Sequence, residues 1–345
     1  MRGVRWRKYN RSLQSAEKNK YTKRNYPHEI ETTQLQLMNL KSFFLSLLIT
    51  VIACDSFARK KADSVYIEPY KQQFMVTSFV AMNSIVIRAN NKEFKPNNLA
   101  TVGVGFLVRN TVFNVRFGYG LLPVGKKEYG KTKALDIQFH KYARHYMLDL
   151  VFQRYQGFYQ KGDKINLHPN MSVLQAGVEG TYLFNGKKIS AKAAFEQSEK
   201  QLKSAGSFIL GSGAYIHYLS AGGDTTTIGQ NRIGNFQIGT SAGYAYSWVI
   251  GKHFLLSGML TTGLNVGNEL HKMQEGKLRV YPTVMARGAF GYHRSDWGVS
   301  FSFLLHNKSV YGSQSNAINL NSVNMQIAYV KNFDINFKKK KVQLN

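Results

Sequence analysis

The chain has 345 residues, of which 43% are hydrophobic and 19% charged, with 30 glycines, 22 phenylalanines, 20 tyrosines and one cysteine. This composition excludes a disordered chain and a disulfide-stapled fold. Only one apolar run approaches the length of a membrane-spanning helix, and it is too short, which excludes a polytopic helical membrane protein. The net charge of +27 lies mostly in short polar gaps between apolar segments. That arrangement suits an anionic membrane surface, so we expect no nucleic-acid partner.

Residues 38–58 have the features of a secretory signal peptide. An uncharged apolar stretch over 43–53 follows Lys41, and 56–58 has the small-x-small pattern of a cleavage site. The sequence therefore predicts export, with cleavage after residue 58. A second interpretation stays open at the same place, because the residues up to Cys54 read as a bacterial lipobox in which that cysteine would be lipidated.

The segments on either side of the signal peptide are interpreted from composition. Residues 1–37 hold nine Lys/Arg against three Glu and have no apolar periodicity, so we interpret them as an over-called or extended leader. Residues 59–73 are predicted to form a periplasmic N-terminal segment. Residues 74–337 are predicted to form the folded body, and 338–345 a basic C-terminal tail.

Hydrophobic and polar side chains alternate with a period of two from Phe74 to Phe333, which predicts β-strands with two unlike faces. In the segment 236–248, large apolar side chains take one face and small or polar side chains the other. Several segments exceed the roughly 5–6 residues typical of soluble strands and reach the roughly 9–11 of a tilted membrane strand. The sequence therefore predicts an all-β fold, an antiparallel transmembrane β-barrel.

The order of short and long connections predicts about twelve strands. Short turns are predicted at 109–110, 143–144, 185–186, 251–252 and 294–295, and long polar loops near 90–98, 120–133, 156–171, 220–233, 266–278 and 308–320. Such alternation is expected where short turns face the periplasm and long loops face outward. It requires 74–89 to be one strand and 188–219 to cross once. Fourteen strands are the alternative if both segments split.

Aromatic residues lie near the segment ends, as in the interfacial girdles of outer-membrane barrels. The predicted girdle residues are Tyr119, Tyr155, Phe158, Tyr159, Tyr182, Phe184, Tyr218, Trp248, Tyr281, Tyr292 and Trp297. The alternation also assigns pairs of neighbours to the lipid and to the lumen, in that order, namely Phe117 and Arg116, Leu150 and Asp149, and Phe301 and Ser300.

Motifs for catalysis or metal binding are few. Residues 239–243 match G-x-S-x-G, but the alternation continues through them, so Ser241 is predicted to lie in mid-strand and not on a hydrolase elbow. The histidines show no metal-binding spacing, and one cysteine cannot build a zinc site. Four histidines are expected at strand ends or in the lumen, namely His140, His145, His253 and His271. No catalytic, cofactor-binding or metal-binding residue is predicted.

Ionisable residues on the polar face are predicted to form a charge network that fills the lumen. They are Asp136, Asp149, Glu179, Glu196, Arg116, Lys192 and Arg287. A selective pore usually lines its constriction with one sign of charge. Mixed signs therefore favour a filled interior with at most small-solute passage.

Two blocks of sequence resemble a known family. YLFNGKKIS at 182–190 with KSAGS at 203–207, and YQGFY at 155–159, are similar to a family of Bacteroidota outer-membrane proteins that carries a domain of unknown function, DUF4421. The likeness spans roughly residues 60–337. The resemblance implies a β-barrel in the bacterial outer membrane and carries no activity, cofactor or site residue.

These features favour a non-enzymatic outer-membrane β-barrel, either a structural or binding barrel or a narrow channel. Its expected partners are outer-membrane lipid, lipopolysaccharide and, during biogenesis, the barrel-assembly machinery. The alternatives are a membrane-embedded lipid-modifying enzyme and a surface β-protein anchored by a lipid on Cys54.

Overall fold

The structure is a computed structural model, and its described residues are 62–72, 74–97, 99–108, 114–123, 125–226, 228–311 and 317–334. The interpretations placed on the leader, the signal peptide, Cys54 and the basic tail lie outside the described residues, as does the turn predicted at 109–110.

The described residues form fifteen β-strands and three short helical segments. The strands are β1 (Ile67–Pro69), β2 (Phe74–Ala89), β3 (Lys92–Pro96), β4 (Leu99–Val108), β5 (Asn114–Pro123), β6 (Lys133–Tyr142), β7 (Tyr146–Lys161), β8 (Ile165–Leu183), β9 (Glu199–Gln201), β10 (Ala205–Ser220), β11 (Arg232–Ile250), β12 (Phe254–Asn268), β13 (Arg279–His293), β14 (Trp297–Tyr311) and β15 (Ala317–Phe333). The helical segments are a 3₁₀ turn (Lys127–Tyr129), a π turn (Lys192–Glu196) and helix α1 (Leu270–Gln274).

Thirteen strands form one antiparallel sheet that closes into a barrel. Closure is made by the last and first strands of the barrel, because β15 pairs with β2 from Asn319 opposite Arg88 to Phe333 opposite Phe74. We call the end of the barrel that holds Phe74 and Phe333 the terminal end, and the opposite end the far end. The two remaining strands, β1 and β9, pair with each other in a separate small sheet.

The ring has two sizes. At the far end β3 pairs with both β2 and β7, which closes a ring of ten strands. Toward the terminal end β4 pairs with β2, β5 with β4, and β6 with β7, so three strands take the place of β3. Within the described residues β5 and β6 are not paired with each other. We call this break the β5–β6 seam.

The change of ring size occurs at Gly157 of β7, where the register between β7 and β8 shifts. Before this glycine β7 pairs with β6, and after it with β3. Gly157 has φ of 91°, and a Cβ there would lie 2.3 Å from the carbonyl oxygen of Lys131, so only glycine fits. The Thr132 hydroxyl donates to the Gly157 carbonyl at 2.7 Å and accepts from the Asn97 backbone N–H at 2.7 Å. The YQGFY block therefore forms the branch point.

The predicted strand count is confirmed in its main features. Twelve barrel strands have at least ten residues, with 74–89 as one strand and 188–219 crossing once as β10. Short turns also occur as predicted at 143–145, 251–253 and 294–296. The short strand β9 leaves the wall of the barrel, so it adds no crossing.

Four of the predicted connections are wrong. No long loop occurs at 90–98, 156–171 or 308–320, because polar residues there continue the strands beyond the apolar band. At the first of these positions Asn90 and Asn91 make a two-residue hairpin turn with φ of 50° and 58°, a conformation that asparagine tolerates. Residues 185–186 are no hairpin turn either, since they begin a segment that folds into the barrel.

Candidate functional site

Large apolar side chains are exposed on the outer face of the wall. Phe208 is 72% exposed on the outer face, and Ile327 is 59% exposed. The predicted faces are confirmed for Phe301, which is exposed, and for its neighbour Ser300, which is buried in the lumen. Leu150 likewise faces outward and Asp149 inward. The side chains of the third predicted pair, Phe117 and Arg116, lie outside the described residues.

Aromatic rings form a belt on the outer face at the terminal end. Ring centroids are 4.5 Å apart between Tyr246 and Trp248, 5.0 Å between Phe254 and Tyr292, 5.6 Å between Tyr292 and Trp297, 6.2 Å between Trp297 and Tyr329, and 6.4 Å between Phe74 and Phe333. Such a belt is typical of the interface between hydrocarbon and water.

Four of the predicted girdle residues are wrong. Tyr155, Phe158 and Tyr281 are buried inside the ring, because the alternation turns them inward. Tyr159 is also buried, and its ring stacks on that of Tyr129 with 4.5 Å between centroids.

The terminal end of the lumen is closed by the connection between β8 and β10. This connection, residues 184–204, turns into the barrel, and we call it the plug. Ile189 and Ala191 of the plug pack against inward-facing wall residues such as Met147 and Met259. The ring of Phe195 lies 6.0 Å from that of Tyr142.

Polar contacts attach the plug to the wall and to the N-terminal segment. Glu199 accepts a hydrogen bond from Arg144 at 2.6 Å, and both side chains are largely buried. Gln197 donates to the hydroxyl of Ser300 on β14. The plug strand β9 pairs with β1, so residues 62–70 take part in the closure.

The far end of the lumen is filled by the wall itself. Inward-facing residues of the ten-strand ring form one buried apolar cluster, among them Ile85, Ile87, Phe94 and Val310. Two positions of the β10–β11 connection, Ala221 and Ile228, complete it. A ring of ten strands is narrow enough for its own side chains to fill.

A network of charged residues lies in the lumen between these closures. Asp149 is its centre: Arg287 donates to its Oδ2 atom at 2.9 Å, and Nδ1 of His140 contacts its Oδ1 atom. The guanidinium of Arg287 also lies 5.3 Å from the centre of the Phe195 ring. Asp149 and Arg287 are each less than 9% exposed, so each compensates the buried charge of the other.

A second group extends the network toward the far end. Tyr215 donates to Glu179 at 2.5 Å, and the ammonium of Lys308 lies over the Tyr215 ring. A Cβ at Gly177 would lie 2.4 Å from this ring, so the glycine makes room for it. The network thus holds carboxylates and cations side by side, as the mixed-sign prediction requires.

Asp136 differs from the other lumen carboxylates in its partners. Its carboxylate accepts hydrogen bonds from Gln153 at 2.7 Å, Gln138 at 2.9 Å and the Tyr155 hydroxyl at 3.1 Å. All three donors are neutral. No cationic side chain of the described residues forms an ion pair with it.

A cavity of about 610 Å³ lies beside Asp136 in the wider part of the ring. Thr101 of β4 and Ala134 of β6 line it on the side of the inserted strands, and Asn324 lines it from β15, the strand on the other side of β2. Because a barrel widens as strands are added, the ring at this level is too wide to be filled by side chains and the plug. The cavity has the volume of a small-molecule site.

One charged residue of a turn is paired with a charged residue of β15 at the surface. Asp296, in the turn after β13, contacts Lys331, and this hydrogen bond lowers the pKa of its carboxyl. The pair lies at the terminal end, away from the cavity.

The other residues singled out from the sequence occupy several places. Lys192 and Glu196 lie in the π turn of the plug and not on a barrel strand, because the alternation does not distinguish an inturned segment from wall. Ser241 lies in mid-strand on β11, as predicted. His140 faces the lumen. His145 lies in the turn between β6 and β7, and His253 lies in the turn between β11 and β12. The side chain of His271 lies outside the described residues.

Neither a metal site nor a membrane helix was found in the part of the chain that the structure describes. No group of three or more His, Cys, Asp or Glu side chains there could hold a metal ion. No described helix is long and apolar enough to cross a membrane.

Sequence reasoning missed three features: the segment that forms the plug, the cavity and the buried cation Lys308. The last could have been found, because His306 and Lys308 continue the inward-facing register of β14 beyond the apolar band. The first two depend on the insertion of strands at Gly157, which no local pattern indicates.

Comparisons with known proteins give a family and distant structural likenesses. A family model described as domain of unknown function (DUF4421) matches residues 61–333. No curated protein matches the chain. Among solved structures, the outer membrane protease OmpT of Escherichia coli is 9% identical with a TM-score of 0.30, covering 77% of this chain and 98% of that one. The toluene transporter TodX of Pseudomonas putida is 7% identical with a TM-score of 0.25, covering 77% and 91%. These scores are too low to support an argument.

Proposed function

We propose, starting from the fact that the chain belongs to the DUF4421 family, that it is an outer-membrane β-barrel with a closed lumen that binds a ligand and does not conduct. The observation that carries the proposal is the inverted distribution of side chains. Asp149, Glu179, Arg287 and Lys308 are buried within the ring, while large apolar residues are exposed around the outside. Water would disfavour so large an apolar surface, whereas hydrocarbon matches it.

The orientation follows from the lengths of the connections. Apart from the plug, three connections at the terminal end are three-residue turns, at 143–145, 251–253 and 294–296. The connections at 221–231 and 269–278, which are longer, lie at the far end, beside the short turns at 90–91 and 162–164. In outer-membrane barrels short turns face the periplasm. We therefore place the terminal end and the plug on the periplasmic side. Outer-membrane lipid, lipopolysaccharide and the barrel-assembly machinery are the corresponding partners.

The closures at both ends argue for a binding barrel over a channel. A solute would have to pass the plug at the terminal end and the apolar cluster around Ile85 and Val310 at the far end. The charges between them are largely satisfied by one another, as in the pairing of Arg287 with Asp149. A lipid-anchored soluble protein is disfavoured, because an anchor would leave the apolar outer face in water.

Two measurements test this function, one on the membrane fraction and one on the purified protein. In detergent gels of the membrane fraction, we expect faster migration of the unboiled protein than of the boiled protein. In planar bilayers, we expect the purified barrel to give no conductance steps. An unchanged migration on boiling would contradict the membrane barrel, and large ion-selective steps would contradict the closed lumen and favour a channel.

A membrane-embedded lipid-modifying enzyme is the second candidate. One observation favours it: His140, oriented by Asp149, lines the cavity, and an imidazole held by a carboxylate is the usual form of a general base. Phospholipid incubated with the barrel in nanodiscs would distinguish the two functions. Product formation that disappears in His140→Ala would favour the enzyme, and unchanged phospholipid would favour the binding barrel.

A further inference from the structure

The cavity combines an apolar part with one polar site. The apolar part of the lining includes Phe79, Ala81 and Phe195. Among the described lining residues, the carboxylate is that of Asp136. Arg287 and His140 also reach the cavity, but both contact Asp149. The cavity is therefore shaped for a ligand with an apolar body and one polar group.

The partners of Asp136 indicate the chemistry of that polar group. A partly buried carboxylate loses part of the hydration that stabilises its charge, and neutral donors restore only part of this free energy. Arg287 compensates the charge of Asp149, whereas the side chains of the described residues that donate hydrogen bonds to Asp136 are two glutamines and a tyrosine. A cationic group on the ligand would supply the missing charge and a charge-assisted hydrogen bond.

The position of the cavity indicates the route of entry. Both ends of the lumen are filled, by the plug and by the far-end cluster. The cavity lies instead against β4 and β6, the strands on either side of β5 and its unpaired seam. Ala134 of β6 lines the cavity and is exposed, so this side is accessible. An opening in the wall of a barrel leads to the surrounding lipid.

We infer that the cavity binds a cationic amphiphile, a small molecule with an ammonium group and an apolar tail, which enters sideways from the membrane through the β5–β6 seam. The ammonium group pairs with Asp136 and the tail packs against Phe79 and Phe195. This inference rests on the proposed function, because a lateral route requires the barrel to lie in a membrane.

Equilibrium binding of radiolabelled octylamine to the full barrel in nanodiscs of neutral lipid tests the ligand class. We expect saturable binding at one site, weakened at least about tenfold in Asp136→Asn, because a charge-assisted hydrogen bond is lost. Asp296→Asn is the matched control, since its carboxylate pairs with Lys331 in an exposed turn, and it should bind as the unmodified barrel does. Octanol and octanoate should bind at least about tenfold more weakly than octylamine.

Thiol labelling of Ala134→Cys in Cys54→Ser protein tests the route, because Cys54 is the one natural cysteine. We expect labelling by the membrane-permeant reagent N-ethylmaleimide, no labelling by a charged methanethiosulfonate, and protection by octylamine. Labelling by both reagents would overturn the lateral route. Absent binding, or equal binding by Asp136→Asn, would overturn the ligand class. Either failure in a barrel that keeps its heat-dependent migration leaves the proposed function intact.

Discussion

The far half and the terminal half of the barrel close the same lumen by different means. In the far half the ring has ten strands, and Ile85, Phe94 and Val310 belong to one buried apolar cluster. The side chains of the wall strands therefore fill the lumen there. In the terminal half three inserted strands widen the ring, and the plug enters the space. Even so, a cavity of about 610 Å³ remains. Ring size therefore decides whether a lumen is solid or can hold a ligand.

The two halves also differ in the kind of interaction that holds them together. Aliphatic packing dominates the far half, where loss of one methylene group costs little. The terminal half also contains the buried pair of Asp149 and Arg287, where loss of one partner leaves the other buried without compensation. Substitutions of similar size should therefore have unequal effects in the two halves.

The largest effect is expected for Arg287→Ala in the terminal half. Asp149 would lose its cation, and the free energy of unfolding should fall by about 3–5 kcal/mol. Denaturant unfolding in lipid vesicles measures this. Ile85→Val is the control in the far half, with an expected loss of about 0.5–1.5 kcal/mol. Equal losses for the two variants would show that the halves are not held differently.

A smaller effect is expected on the outer face, which both halves share. Phe301→Lys should lower the free energy of unfolding by about 2–4 kcal/mol, since a lysine would face hydrocarbon. Ser302→Lys is the matched control on the same strand, because its side chain lies at the cavity. If the second variant were the less stable of the two, the assigned faces would be reversed.

The branch point between the halves can be tested at Gly157. Gly157→Ala must place a Cβ 2.3 Å from a backbone carbonyl at positive φ, so we expect a loss of about 1–3 kcal/mol in unfolding free energy. Gly162→Ala, where the nearest atom lies 3.6 Å away, should change it by less than about 1 kcal/mol. Indistinguishable stabilities would mean that the register shift between β7 and β8 does not require glycine at residue 157.

The smallest effect is expected for Gln197→Ala, which removes one contact between the plug and the wall. Hydrogen exchange should report a local loss of about 0.5–1.5 kcal/mol in residues 184–204, with no change in the strands of the far half. Asn319→Ala, near the far end, should leave the protection of the plug unchanged. A loss of protection throughout the barrel would show that plug and wall open together.

The alternation of apolar and polar residues predicts which face of a strand each side chain takes, and this determines how much of the fold could be predicted from the sequence. A period of two assigned Asp149 and Ser300 to the lumen and Phe301 to the outside correctly, because each strand carries its own pattern. The pattern does not encode which strand pairs with which. The inturned position of Glu196 and the lumen position of Tyr155 depend on the plug and the branch, which are set by contacts between distant parts of the chain. The cavity could not be predicted for the same reason.

The unbroken pairing of β15 with β2 has a mechanical consequence. From Asn319 to Phe333 each residue of β15 is paired with a residue of β2. The first and last strands of the barrel are therefore held together along this whole length. A barrel under lateral tension parts where fewest hydrogen bonds cross a boundary. That boundary is the β5–β6 seam. The wall can therefore separate between β5 and β6 while β2 and β15 stay paired.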